Sequence, residues 1–409
     1  MSWLQREVPG SSLVVAIDPG KAFNRVWLAT GDGPVGEPVS LPVLREGVDE
    51  LQRLIETSGV DGSPVIALEE TGGLHRAWAG ELERRWPGSL RLFAPSQTTA
   101  ARGQLGTRRF KTDDRDCAAL IWLARQGAGR PAEPDTVAAM LAAVRHRAQL
   151  VDARSRLQQH LHDQLNGLCP GLSAPAGHGR SLKLASPTGQ AVLACAATFA
   201  GRAPSKRSLQ ARAPGRMTDS VAGFWAGRWK RLLPPPADAE MRAARLRRGL
   251  DRWRDLQDDI HAADRQLALL LAQTDGQILT TLPGVAVVRA AAFCAHTIPV
   301  ARWPTPEHLY SATGLAPATY QSSTINRRGA ISRQGLAEHR NALMGIAWGL
   351  SQNSPAFRQR DRELRARGMR PIQARVALAR HACRLCWRLL QTQQPYDDQR
   401  YAAARRRGR

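Results

Sequence analysis

After a short polar start the chain runs Leu13-Val14-Val15-Ala16-Ile17 and stops at Asp18-Pro19-Gly20. A brief, unbroken apolar run closed by turn residues predicts a buried strand. Asn24–Thr30 and Glu37–Val43 predict two further strands in a meander, and Val48–Ser58 carries helical spacing through Leu51, Leu54 and Ile55. Pro64–Leu68 reads as another buried strand ending on Glu69, Leu74–Trp86 as a helix, Leu90–Phe93 as a fifth strand and Asp113–Arg125 as a helix. From about Thr136 strand signals fade. Val137–Leu168 (apolar at Val144, Leu150, Leu157, Leu161 and Leu165) and Ala237–Leu271 (Leu246, Leu250, Trp253, Leu256, Ile260, Leu267, Leu270) predict two long amphipathic helices. Such a pair is expected to form an antiparallel coiled coil. Between them Pro170–Pro236 is rich in Gly, Pro and Arg, with helical patches around Gln190–Phe199 and Ser220–Leu232. From Ile278 to about Gln391 the pattern is mostly helical, and the tail ends in Arg405-Arg406-Arg407-Gly408-Arg409.

Three early strands followed by alternating helix and strand is the order of a ribonuclease-H-like α/β fold. In that topology the first and fourth strands are neighbours, so Asp18 and Glu69, each closing its strand, come together. Asp113 and Asp116, three apart at the start of a helix, share one helical face. Each position alone has a structural reading, because Asp before Pro-Gly suits a turn and acids suit a helix N-terminus. As a set they repel one another unless a cation neutralises them, and hard oxygen ligands select Mg²⁺ or Mn²⁺. Glu70 is expected on the opposite face of its strand, and Asp114 about 100° around the helix from Asp113.

Charge narrows the choice of partner. The 409 residues, enough for two or three domains, hold 58 Lys and Arg against 35 Asp and Glu, a formal charge of +23. That balance disfavours small acidic metabolites as free substrates and favours a polyanion. No apolar run reaches the roughly 20 residues of a membrane span, and the N-terminus lacks signal-peptide order. A cytoplasmic protein is the expectation, with six reduced and mostly buried cysteines. Cys383-x-x-Cys386 near His381 lacks a second ligand pair for zinc, and core packing is the favoured reading.

Two C-terminal stretches carry further candidate chemistry. Leu282-Pro283-Gly284-Val285 precedes a helix and fits either a plain turn or a phosphate-holding helix-hairpin-helix element, with Ala286 where a second Gly usually stands. Gly314-Leu315-Ala316-Pro317, Tyr320-Gln321-Ser322-Ser323, Arg327-Arg328-Gly329 and Ser332-Arg333-Gln334-Gly335 set hydroxyls among Arg and Gly. Arg forks suit phosphate oxygens, and Gly permits close approach.

Together these motifs resemble a known family. Ile17-Asp18-Pro19-Gly20-Lys21, Glu69-Glu70-Thr71-Gly72 and Lys111-Thr112-Asp113-Asp114-Arg115-Asp116 look like the acidic signatures of DEDD transposases. These are insertion-sequence enzymes, a group that includes the Piv invertases and the bridge-RNA-guided recombinases. Leu282-Pro283-Gly284, Gly314-Leu315-x-Pro317, Gln321-Ser322 and Ile331–Gly335 follow in the family's order, so the resemblance runs from about Val14 to Tyr396. It implies a RuvC-like domain over residues 1–135, a helical coiled-coil region with an inserted loop-rich segment over 136–275, a mostly α transposase domain over 276–391 and a basic tail over 392–409. It further implies Asp18, Glu69, Asp113 and Asp116 as the metal-binding tetrad and Ser322 as a nucleophile that forms a phosphoserine link to cut DNA. Ser323 stands where the family has Gly, so either hydroxyl could serve, with Ser322 favoured. Lys111, Arg327, Arg328 and Arg333 are candidate nucleic-acid contacts. Donor and target DNA, a non-coding bridge RNA and a dimer-to-tetramer of this chain are the implied partners, with nucleoid association when DNA is bound. Rival readings are a RuvC-like metal nuclease of the Holliday-junction type without a covalent intermediate, and a nucleic-acid binder that has lost catalysis.

Overall fold

The first apolar run becomes the centre of a mixed seven-stranded sheet. The computed structural model describes residues 8–106, 111–173, 182–322 and 325–401; of 319–322 and 325–328 it describes the backbone alone. The chain divides into two units at Asp135 and Thr136.

In the first unit the strands are β1 (Val14–Asp18), β2 (Phe23–Thr30), β3 (Gly33–Pro34), β4 (Val39–Pro42), β5 (Val65–Glu69), β6 (Leu90–Phe93) and β7 (Arg130–Pro131). Their spatial order is β3-β2-β1-β5-β6-β7, with β4 also paired to β2. β1 runs antiparallel to β2 and parallel to β5, which is parallel to β6. This is the ribonuclease-H-like arrangement expected, with β3 and β7 as short additions. The helices are α1 (Arg45–Glu56), α2 (His75–Arg85), α3 (Pro95–Gln104) and α4 (Asp113–Arg125).

Alternation along β1 sorts its side chains onto two cores. Val15 and Ile17 pack with Val48, Leu51, Trp78 and Leu82 of α1 and α2. Val14 and Ala16 pack with Ala67, Phe93 and the Cys117, Leu120 and Ala124 stripe of α4. Asp18 and Glu69 continue the second set by the two-residue period, so both belong to the face that α4 covers.

The second unit is mostly helical, with α5 (Asp135–Leu168), α6 (Pro187–Thr198), α7 (Lys206–Ala211), α8 (Asp219–Trp229), α9 (Ala239–Ala272), α10 (Val287–Thr297), α11 (Pro306–Ala312), α12 (Ala337–Asn353), α13 (Pro355–Ala366) and α14 (Pro371–Thr392). A hairpin of β8 (Pro317–Ser322) and β9 (Ile325–Ile331) interrupts the helices where helix was expected. The two long helices run antiparallel. Arg147 meets Asp264, Arg154 Nη1 donates to Gln257 Oε1, and Leu161 faces Gly249, so contacts recur every seven or eight residues. One end of the pair joins α10–α14 in a core that contains Cys294, Cys383 and Cys386; the other joins α6–α8. All six cysteines are free and buried, as core packing requires.

From residue 182 on, the stretch read as loop-rich is more helical than its composition suggested. Leu182, Val192, Leu193, Trp225 and Trp229 bury against Leu246, Leu250 and Trp253 of α9. Its small residues (Ala191, Ala196, Ala197, Ala222) allow close helix approach while hiding the amphipathic signal. Among the described residues no helix is long and apolar enough to cross a membrane.

Candidate active site

The acidic site is built from strand ends and one helix start. Ile17 of β1 pairs with Leu68 of β5, which sets Asp18 and Glu69 side by side one residue further on. Gly20 gives the turn after β1 its shape: its N–H donates to the buried Asn24 Oδ1 at 3.1 Å, and a Cβ there would meet Phe23 O at 2.1 Å. Glu69 is buried, and its Oε1 accepts from Thr71 Oγ1 at 2.7 Å. α4 starts at an N-cap, Thr112, whose hydroxyl accepts from Arg115 N–H. Its buried stripe Cys117–Leu120–Ala124 extends backward through Asp116 and Asp113 by helical spacing.

Electrostatics report the convergence. Burial first, then the charges of Glu69, Asp116 and Asp113, push the Asp18 carboxyl up to about 7, with Lys111 opposing. Asp116 is also raised, chiefly by burial, against the pull of Arg102. Asp18 thus feels the charges of Glu69, Asp113 and Asp116, and that of the exposed Lys111.

Their side chains are nonetheless not drawn around one point. Among the described residues no three His, Cys, Asp or Glu are grouped closely enough to hold a metal ion. Asp116 instead faces Arg102 of α3, whose Nε lies 2.8 Å from its Oδ1; both are buried, and the contact is an ion pair by distance rather than an aligned hydrogen bond. Glu69 is turned to Thr71. The donor set itself, four carboxylates of which Asp18 is pushed up to about 7 by burial and its neighbours' charges, has the chemistry a hard divalent cation takes.

Two residues of this site escaped the sequence reading. Arg102 sits on α3, a helix whose buried face (Thr98, Ala101, Arg102) has almost no apolar content. Its available signals were Pro95 in the first turn and Gln97 returning a bond to the Ala94 N–H at 2.9 Å. Arg25, opposite Asp18 in the β1–β2 ladder, donates from Nε to Asp114 Oδ1 and holds that carboxylate aside. Glu70 pairs with Arg130 of β7, apart from the tetrad, as its position after Glu69 predicted.

The C-terminal motifs are spread along the β8–β9 hairpin, from Ser322 at its turn end to Gly314 and Gly335 at its base. Ser322 ends β8 opposite Ile325, while Arg327 and Arg328 lie opposite Tyr320 and Thr319. The side chains of Ser322, Arg327 and Arg328 lie outside the described residues, as does all of Ser323. Gly314 has φ +69° and Gly335 φ +156°, and a Cβ on Gly335 would meet Ala312 O at 2.2 Å. Arg333, itself at φ +56°, donates its N–H to Gly314 O at 3.0 Å, and Ser332 N–H donates to Ala316 O at 2.8 Å. These glycines serve backbone-to-backbone approach. The Leu282-Pro283-Gly284 turn is likewise packing: a Cβ on Gly284 would meet Gly349 O of α12 at 2.5 Å, and Leu282 and Val285 are buried.

A ribonuclease-H-like sheet with acids closing β1 and β5 and opening a later helix defines a RuvC-like domain of the DEDD type. Known proteins agree. Residues 15–170 match the DEDD model of IS110 elements, described as "Transposase", and residues 276–362 match the model described as "Transposase IS116/IS110/IS902 family". A relative from Streptomyces coelicolor, "Insertion element IS110 uncharacterized 43.6 kDa protein", is 32% identical over 131 residues, which span 32% of each chain. The chain belongs to the IS110 family of DEDD transposases. The aligned stretch spans about a third of that relative's length.

Proposed function

We propose that this protein is the DNA transposase of an insertion sequence, cutting and rejoining strands through a phosphoserine intermediate. The observation that carries the reading is Asp18, pushed up to about 7 by burial and three neighbouring carboxylates. Crowded carboxylates that Arg102 and Lys111 only partly offset cost the fold stability, and chemistry is the reason to keep them.

Asp18, Glu69, Asp113 and Asp116 would hold Mg²⁺ or Mn²⁺, with Asp116 released from Arg102. When bound, the cation would polarise the scissile phosphate and offset transition-state charge. Ser322 Oγ then bonds to phosphorus as the bond to the leaving deoxyribose oxygen breaks, and attack by an incoming strand hydroxyl restores the serine. Arg327, Arg328 and Arg333, on and just after the same hairpin, would bind the strand's phosphates, and Lys111 would act beside Asp18. We read the α5–α9 pair as an antiparallel coiled coil and the active form as a dimer-to-tetramer in which acids and serine come from different protomers.

A non-coding bridge RNA would supply sequence choice through base pairing, leaving the protein to hold backbones. The charge of +23 supports that division of labour. Between Leu182 and Ala237 nine Lys and Arg stand against a single acid, Asp219, which adds to the surface available for phosphates.

The test is strand exchange with Mg²⁺, both DNA partners and the RNA encoded beside the gene. Asp18→Asn and Ser322→Ala should each abolish exchange while RNA binding persists. Labelled DNA should stay on the denatured wild-type protein; cleavage with no protein-bound strand identifies a hydrolytic nuclease instead.

A further inference from the structure

Trp348, on α12, stands apart from the other tryptophans. It is the only one among the described residues to appear with the exposed large apolar side chains, at 41%. Trp303 and Trp387 of the same unit direct their indole N–H groups inward, to Thr297 O at 2.8 Å and Trp303 O at 3.0 Å. Trp348 instead lies under a cation: the Arg375 guanidinium of α14 sits 4.0 Å from its ring centroid.

The surroundings have a consistent chemistry. Asn341, Gly345, Trp348 and Gln352 fall on one side of α12 by spacing of four, three and four residues. Asn341 and Gln352 are exposed, and nothing lies within 4 Å of a Cβ placed on Gly345. One turn before Arg375, Ile372 is 59% exposed. α14 contains no Asp or Glu, and the single acid of α12, Glu338, pairs with Arg145 at the far end of that helix.

We infer that the Trp348–Arg375 stack receives an unpaired base of a DNA strand. The ring and guanidinium offer planar faces for stacking, Arg375 adds charge for the adjoining phosphate, and the two amides can meet a base edge. Docking of a second copy through this same face would set Arg375 against its symmetry mate with no carboxylate on α12's exposed side or on α14 to separate them. This inference rests on the transposase reading and deepens it: strands opened for exchange expose the bases that the stack would hold.

The experiment uses the full chain and anisotropy of a short labelled single-stranded DNA, its duplex and an RNA of the same sequence. Trp348→Ala should weaken single-stranded DNA binding roughly five-fold to over a hundred-fold, the range one base–aromatic stack carries. Trp348→Phe should keep most of the affinity, and Arg375→Gln should fall between. For Trp348→Ala, duplex and RNA affinities should stay within about two-fold and the salt slope for single strands should hold, since stacking releases no counterions; Arg375→Gln should lower that slope. Unchanged single-strand binding by Trp348→Ala, or an equal loss on duplex or RNA, overturns the inference. So does a change of oligomeric mass with DNA affinity intact, which would make this face a contact between copies. If Trp348→Ala binds normally while Asp18→Asn abolishes exchange, the transposase reading stands alone; if Asp18→Asn exchanges strands and Trp348→Ala loses DNA, only the base site stands.

Discussion

The acidic end of the first sheet and the base of the C-terminal hairpin both carry dense motifs, yet they differ in what the fold gains. At the hairpin base Gly314, Gly335 and Arg333 satisfy backbone hydrogen bonds and allow contacts that a Cβ would block. Packing accounts for them. At the sheet end Asp18, Glu69 and Asp116 are partly or wholly buried with like charges as neighbours, which raises the energy of the folded chain. Arg102, and Lys111 more weakly, offset part of that cost. A motif that stabilises its own fold needs no chemistry to explain it; one that opposes the fold points to chemistry.

The contrast breaks most sharply under substitution of the acid itself. Asp18→Asn should lower strand exchange by roughly a thousandfold or more while leaving the metal-free chain as stable as wild type or more so. Exchange assays paired with melting in EDTA check both halves, and a loss of stability would place Asp18 with the packing residues.

Gly335→Ala should do the reverse, costing about 3 kcal/mol or more because its Cβ collides with backbone. Urea unfolding reads that cost. A neutral result would show that the hairpin base can relax.

Arg102→Gln sharpens the comparison from inside the acidic site. It leaves the buried Asp116 without its cation, at about 3 kcal/mol in EDTA. Mg²⁺ should restore part of that loss if a divalent cation replaces the guanidinium, and calorimetry with and without Mg²⁺ measures it.

The smallest expected effect is in pH. The folded Asp18 carboxyl titrates near 7, above the unfolded value of about 3.9. The native state then binds the extra proton between those values, so stability falls as pH rises from about 4 to 7. The whole shift corresponds to about 4 kcal/mol, which partial exposure trims to about 2. Melting in EDTA across that range should show the decline, and Asp18→Asn should flatten it.

Much of the first unit was legible because its signals are local. The runs Val14–Ile17 and Pro64–Leu68, with the strand order they implied, placed Asp18 and Glu69 at the ends of neighbouring strands. In the second unit, apolar spacing along Val137–Leu168 and Ala237–Leu271 made the two long helices legible as well. α3 was not legible: it buries Thr98, Ala101 and Arg102, which show no apolar period. The β8–β9 hairpin lay hidden in an otherwise helical stretch, and the core of α6–α8 is written largely in Ala and Trp, whose packing depends on partners far along the chain.

Residue order alone determined which segments are strands or helices wherever apolar spacing was strong, the excess of positive charge, and which acids share a face. The tertiary structure decided which charge sits against which: Arg102 against Asp116, Arg25 against Asp114, Arg375 over Trp348. Spacing acts between neighbours in the chain and survives without a fold. Ion pairs and stacked rings join positions that only packing brings within a few ångströms.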